Sequence, residues 1–183
     1  MQDLKERYNK DVIAEMTKKF GYKNVLAVPR ILKVVIGAGT GSIADAEKKK
    51  GVATSLMLIT GQKTKDNVAK QSIASFKLRE GTSIGHSVTL RGNRMYDFMS
   101  KLINIALPRV RDFRGIDTSL IDNIGNMTIG VREHLVFPET SKEDVRKVFG
   151  LGVTIVTSAK SKEEAFELFK LLGFPFKKED NKK

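Results

Sequence analysis

Apolar residues recur about every four positions at the start of the chain. The stripe consists of Leu4, Tyr8, Val12, Met16 and Phe20. This spacing places the five side chains on one face of an α-helix, and the glycine that follows at position 21 is typical of a helix end. The chain is therefore expected to begin with an amphipathic helix of about five turns.

A short β-branched run at residues 31–36 predicts a buried strand that leads into a glycine-rich turn at 37–41. After this turn, Ser42 and Asp45 are suitable for capping the N-terminus of a helix. That second helix carries Val52, Leu56 and Ile59 and ends at a glycine, as helices often do.

The rest of the chain alternates between helical and strand patterns. Residues 62–83 have no clean period, whereas 83–91 alternate as in a strand. Further elements are a helical stripe at 95–106 that Pro108 terminates, strands at 127–135 and 153–157, and a last helix that begins at a capping box of Ser161 and Glu164 and stops at Gly173 and Pro175. Strands and helices are thus interleaved, with irregular connections.

This order predicts an α+β fold rather than a doubly wound parallel sheet. We expect a mostly antiparallel sheet with helices packed on one face and the other face free for a ligand. Since no linker or repeat interrupts the pattern, a single domain over residues 1–176 is predicted, followed by a frayed, charged tail at 177–183.

The amino-acid composition limits which kinds of functional site and partner are possible. The 183 residues include no cysteine and two histidines, which excludes disulfides, thiolate metal sites and cysteine nucleophiles. No apolar run approaches the roughly 20 residues of a membrane span, and no secretory signal is evident, so a cytoplasmic protein without membrane partners is expected. The 33 Lys and Arg against 21 Asp and Glu give a net charge of +12, which favours a polyanionic partner, although charge alone can also serve solubility.

A glycine turn after a strand requires comparison with nucleotide-binding loops. Gly37, Gly39 and Gly41 lack the third glycine of a dinucleotide fingerprint, because Ser42 stands there, and the Lys-Ser/Thr end of a phosphate loop is missing. A small nucleotide-dependent enzyme that uses this turn is kept as the alternative function.

The remaining candidates do not assemble a catalytic site. His86 and His134 stand alone in predicted strands, where a polar residue on a sheet face or rim is the simpler interpretation, and the carboxylates are scattered among lysines. We therefore expect no enzyme activity, no metal and no cofactor.

The stretch 61–94 holds seven bases, Lys63, Lys65, Lys70, Lys77, Arg79, Arg91 and Arg94, against two acids. Phe76 lies between the bases, and Gln62 and Thr89 add neutral donors and acceptors. RNA binding uses this mixture of cations for phosphates, an aromatic face for an unpaired base, and neutral groups for base edges. The alternative is that Phe76 belongs to the core and the lysines form a solvated rim.

Several motifs resemble the bacterial-type ribosomal protein L5 family of the large subunit. The longest is RGNRMYDFMSKLINIALPRVRDFRG at 91–115. Shorter matches include Val28-Pro29-Arg30, Gly61-Gln62-Lys63, Ser75-Phe76-Lys77-Leu78-Arg79, Gly130-Val131-Arg132-Glu133 and Phe174-Pro175-Phe176. The resemblance covers nearly the whole chain in order.

The resemblance implies a structural component of the large subunit that binds 5S ribosomal RNA in the central protuberance. It implies RNA contacts by Gln62, Phe76 and Thr89, and the full set expected here is Gly39, Gly41, Gln62, Lys63, Phe76, Lys77, Thr89 and Arg91. It also implies a flexible loop at 79–85 near the P-site transfer RNA, with Arg79, Glu80, Gly81, Thr82 and Ser83 as its proximal residues.

Further partners implied by the resemblance are large-subunit ribosomal RNA, neighbouring large-subunit proteins and a small-subunit head protein reached through an intersubunit bridge. The chain departs from the family pattern at three places. Gly37 replaces a usual Asn, Thr64 replaces a usual Pro, and Asn123-Ile124 replaces a common Gly-Arg. The first change is expected to remove one polar RNA contact, unless Thr40 or Ser42 supplies it.

Overall fold

The computed structural model describes residues 4–43, 45–76, 78–141 and 148–177. These residues form an open five-stranded antiparallel sheet together with helices, which confirms the α+β class. The strands are β1 (Ile31–Gly39), β2 (Lys65–Val68), β3 (Ser83–Leu90), β4 (Met127–Val131) and β5 (Leu151–Thr157). Their order across the sheet is β2-β3-β1-β5-β4.

The helices follow the apolar periodicity. They are α1 (Leu4–Arg7) and α2 (Ile13–Phe20), joined by a π-helical turn at Tyr8–Val12; α3 (Ala46–Thr60); α4 (Gly92–Lys101) and α5 (Leu107–Arg109), joined by a π-helical turn at Leu102–Ala106; and α6 (Lys162–Leu172). Gly21, Gly61 and Gly173 end α2, α3 and α6 in the left-handed conformation that glycine adopts without strain.

Helix capping agrees with the sequence pattern in part. Asp45, not Ser42, caps α3, because its carboxylate accepts a hydrogen bond from the backbone N–H of Glu47 at 2.9 Å. The Ser161 hydroxyl accepts one from the backbone N–H of Glu164 at 3.3 Å, as a capping box requires. The return bond of the box is displaced by one residue, since the Glu164 carboxylate accepts from the N–H of Lys160 at 2.9 Å.

Three other local predictions were wrong. Gly37 and Gly39 lie inside β1 rather than in a turn, because the neighbouring strands pair with this segment. The helix continues one residue past Pro108 and ends after Arg109, so the proline lies within its last turn rather than directly after its end. Strand β4 ends at Val131, which leaves His134 in a 3-10 turn.

The contacts within the chain divide it into two compact units. The first unit comprises the described residues within 1–34, 90–129 and 154–183, and the second comprises those within 35–89 and 130–153. Each unit has its own fully buried side chains, including Met16, Leu102 and Phe169 in the first and Ile36, Leu56 and Phe137 in the second. A single domain over 1–176 stays a prediction, and residues 178–183 of the expected tail lie outside the described residues.

Within the part of the chain that the structure describes, none of the helices combines the length and the apolar character needed to cross a membrane.

Candidate nucleic-acid interface

Strand β3 has one buried and one open side. Along β3, His86, Val88 and the following Leu90 are buried, while Ser87 is half-buried and Thr89 is exposed. Successive side chains of a strand point to opposite faces, so Ser87 and Thr89 share the face that is turned away from the core. A surface with hydroxyl groups therefore lies on the open side of this strand.

Gln62 and Thr89 are brought together by the fold. The Gln62 Nε2 atom donates a hydrogen bond to the backbone carbonyl of Thr89 at 3.2 Å, across 27 residues of sequence. Gln62 follows Gly61 at the end of α3, and its backbone is held there by the Thr60 hydroxyl, which donates to the Gln62 carbonyl at 3.2 Å. The bond fixes the amide beside the exposed Thr89 and leaves the Gln62 Oε1 atom as an acceptor.

Strand β2 is an edge strand that sequence patterning missed. All four of its residues are exposed, so it has no apolar alternation to reveal it. Its register with β3 pairs Lys65 with Ser87 and Asp66 with His86. Two side-chain contacts support the pairing: His86 Nδ1 lies 2.7 Å from Asp66 Oδ1, and the Ser87 hydroxyl donates to the Asn67 side-chain carbonyl at 3.2 Å.

Residues 69–76 and 78–82 form a ribbon that continues the β2–β3 pair. The N–H of Ala69 donates to the carbonyl of Thr82 at 2.9 Å, and Ile73 and Leu78 exchange two backbone bonds of 3.0 and 3.2 Å. A single 3-10 turn, Ala74–Phe76, lies between the paired arms. Phe76 is 71% exposed there, which places its ring outside the core.

The segment assigned to transfer RNA differs from the expected loop. Ser83 begins β3, and Gly85 is a buried strand residue whose added Cβ would lie 2.9 Å from the carbonyl oxygen of Ala38. The irregular part is therefore shorter, and Arg79 and Glu80 are exposed within it. Sequence reasoning missed Lys49 of α3, whose ammonium donates to the carbonyl of Ser83 at 2.9 Å and holds the return to the sheet.

The remaining predicted contact residues lie at several places. Gly39 is exposed at the end of β1 with no atom within 4 Å of an added Cβ, and Gly41 is exposed in the following turn. Lys63 is exposed between α3 and β2. Arg91 is exposed at the N-terminus of α4 and belongs to the first unit. Lys77 lies outside the described residues.

Positive charge dominates the described part of this surface. Lys63, Lys65 and Arg79 are exposed, and their side chains make no hydrogen bond or ion pair with any residue that the structure describes. Asp66, by contrast, is engaged by His86. The free cations can therefore neutralise the phosphates of a bound polyanion.

Both histidines are core residues rather than polar groups on a rim. His86 is 5% exposed and His134 is 0% exposed. The His134 ring stacks on Phe149 with centroids 4.0 Å apart, and its Nδ1 atom accepts from the Phe149 N–H at 3.3 Å. Over the described ranges, no group of three or more His, Asp or Glu side chains is arranged to hold a metal ion.

Two protein-family models match the chain. A model described as ribosomal protein L5 matches residues 24–79, and a model for the C-terminus of the same ribosomal family matches residues 83–176. Together they cover every one of the predicted 5S contact residues.

Curated relatives match over nearly their full length. The large ribosomal subunit protein uL5 of Streptococcus pyogenes serotype M49 is 51% identical over 176 residues, which are 96% of this chain and 98% of that protein. The protein of the same name from Halothermothrix orenii is 49% identical over 177 residues, which are 96% of this chain and 99% of that protein.

Proposed function

The chain belongs to the ribosomal protein L5 family, and from that premise we propose that it binds 5S ribosomal RNA through the open surface of its second unit. It is a structural, non-enzymatic component of the large ribosomal subunit in the cytoplasm. This membership removes the alternative of a nucleotide-dependent enzyme. The proposal concerns which RNA is bound and which residues bind it.

The observation that carries the proposal is the bond between Gln62 and Thr89. It holds the neutral Gln62 amide against the strand residue Thr89, whose side chain is exposed, on a surface that also carries the exposed cations Lys63 and Lys65. A cation binds any phosphate, whereas an amide or hydroxyl can distinguish a base edge or a 2′-OH. The pair is therefore suited to recognise one RNA among many.

The other residues have complementary roles in the proposal. Lys63 and the neighbouring Lys65 contact phosphates, as Lys77 and Arg91 do by their charge. Phe76, exposed on the ribbon, stacks on an unpaired base. Gly39 has room for a side chain yet carries none, so the RNA backbone can approach β1 closely there.

We further propose that Arg79, Glu80, Gly81, Thr82 and Ser83 approach the P-site transfer RNA, and that another edge of the protein bridges to a small-subunit head protein. The transfer RNA contact is supported by the exposure of Arg79 and Glu80 on the ribbon. Lys49 would keep this segment in place by its bond to the Ser83 carbonyl.

The test is a comparison of 5S ribosomal RNA with an unrelated RNA of the same length in a filter-binding assay over a range of salt concentrations. If about five phosphates are neutralised, the log of the binding constant should fall with log salt at a slope of about −3 to −4. Lys63→Gln should make that slope shallower by about 1, whereas Lys18→Gln, at an exposed position of the first unit, should leave it unchanged. Equal affinity for both RNAs would contradict the proposal.

A further inference from the structure

The first unit contains a short loop with three arginines that the proposed 5S surface does not use. This arginine loop, residues 109–115, exposes Arg109, Arg111 and Arg114. Their guanidinium groups form no hydrogen bond or ion pair with the residues that the structure describes. Asp112 is the one acid in the loop. The next carboxylate, Asp117, is occupied by the Lys177 ammonium at 3.5 Å and the Ser119 N–H at 2.9 Å.

The loop is fixed at both ends. It begins at Arg109, the last residue of α5 and two residues after Leu107, which is 2% exposed, and it ends before Ile116, which is 3% exposed. The Ile116 N–H donates to the carbonyl of Pro175 at 2.7 Å, and the Lys177 N–H donates to the carbonyl of Ile116 at 2.9 Å. A partner would therefore meet arginines on a backbone that is already ordered, which reduces the entropy lost on binding.

The middle of the loop holds an unusual backbone conformation. Asp112 has a φ of 55°, and it is the one non-glycine residue with positive φ in the described part of the chain. Such a conformation is uncommon outside glycine, although Asp tolerates it better than most residues, and sharp turns that retain it are often found at binding sites. The chain turns at Arg111 and Asp112.

We propose that the arginine loop is a second RNA surface, which binds the phosphates of a base-paired RNA segment. Arginine presents a planar fork of donors that matches phosphate oxygens. The deep, narrow major groove of paired RNA keeps side chains away from the base edges, so the contact is with the phosphates and is independent of sequence.

The composition of the loop favours RNA over a protein partner. Protein interfaces that use arginine usually place it beside well-exposed aromatic anchors, whereas Val110 and Phe113 of this loop are half-buried. The surface does not depend on the 5S contacts proposed above, because the loop shares no residue with them and all of them except Arg91 belong to the other unit.

The experiment measures binding of the whole chain to a fully paired RNA duplex of about 16 base pairs, roughly the length that double-stranded RNA-binding domains span. The test variant is R109Q/R111Q/R114Q. The matched control is K18Q/K23Q/K160Q, which removes the same charge from three positions of the same unit that lie outside the loop. Both variants are first checked for an unchanged melting temperature.

The arginine variant should weaken duplex binding at least about tenfold and make the log–log salt slope shallower by about 3, as expected for three lost phosphate contacts on a duplex. The control should change affinity less than about threefold. A third variant, R109K/R111K/R114K, should keep the salt slope and lose part of the affinity, because it keeps the charge without the fork.

Three results would overturn the inference. The first is an equal loss of duplex binding in the K18Q/K23Q/K160Q control, and the second is unchanged duplex binding in the arginine variant. The third is that the arginine variant loses binding to a poly-glutamate peptide, which represents an acidic protein partner, but not to RNA. Binding to 5S ribosomal RNA is measured in parallel and should change less than about threefold in the arginine variant. An equal loss there would assign the loop to the 5S surface and also refute the inference. If the unmodified chain does not prefer 5S ribosomal RNA, the proposed function fails while the duplex result still stands.

Discussion

Replacing Phe76 by Ala separates RNA stacking from core packing. The ring is 71% exposed, so about three-tenths of its surface is covered by the protein. For a side chain of about 200 Å², that is about 60 Å², which at about 25 cal/mol per Å² gives at most about 1.5 kcal/mol of folding free energy. A buried Phe would instead lose about 3–5 kcal/mol.

The same substitution should also weaken RNA binding, because the exposed part of the ring is what contacts a base. The loss of one base–aromatic stack weakens binding by about 1–3 kcal/mol, which is about a 5- to 150-fold increase in Kd for 5S ribosomal RNA. The assay measures Kd by filter binding and the free energy of unfolding by urea denaturation on the same preparation of Phe76→Ala.

Two variants serve as controls. Phe76→Tyr keeps an aromatic face and should keep the affinity within about threefold. Phe137→Ala removes a ring that is fully buried in the second unit and should destabilise the fold by about 3–5 kcal/mol. The reasoning is refuted if Phe76→Ala destabilises the protein as much as Phe137→Ala does, or if its affinity for 5S ribosomal RNA is unchanged.

Three further predictions concern other residues. Gln62→Ala and Thr89→Val each remove one neutral hydrogen-bonding group and should weaken 5S binding by about 0.5–2 kcal/mol. Chemical footprinting measures this loss, and a variant that still protects 5S ribosomal RNA in full would contradict the prediction. Arg79→Gln should leave 5S affinity within about twofold and slow translation by reconstituted ribosomes; normal speed with weakened 5S binding would reverse the assignment. The backbone N–H groups of Asn126 and Ile124 donate to the Asp122 carboxylate and, against the opposing effect of burial, hold its pKa below the usual 3.8. The stability that this carboxylate contributes is therefore present above pH 3.8 and is lost as the pH falls through the lowered pKa. The difference in free energy of unfolding between Asp122→Ala and the unmodified protein, measured in urea, should accordingly shrink in acid. A difference that stays constant with pH would contradict this.

Local features of the chain determined the helices and most strands. The apolar stripe from Leu4 to Phe20 predicts a helix because side chains four residues apart lie on one face, and Gly21 ends it because glycine adopts positive φ without strain. The same local rules located α6 and the alternating strand β3. The net charge of +12 and the lack of cysteine indicated a nucleic-acid partner and excluded much of catalysis, since both are properties of composition.

Only the tertiary structure decided which segments pair and which polar residues are buried. Strand β2 has four exposed residues and forms through its ladder with β3, so its own sequence carries no apolar signal. Gly37 and Gly39 look like a turn in isolation, but adjacent strands supply the hydrogen bonds that make them part of β1. His134 is buried because Phe149, 15 residues away, stacks on it.

The candidate site shows the same division. Residue types and resemblance pointed to Gln62, Phe76 and Thr89, yet the bond from Gln62 to the Thr89 carbonyl and the exposure of Phe76 emerged only from the folded chain. Helix and strand patterns depend on neighbours within a few residues, so they can be predicted from sequence. Contacts such as the one between Gln62 and Thr89 depend on how distant segments pack, and no local pattern encodes that geometry.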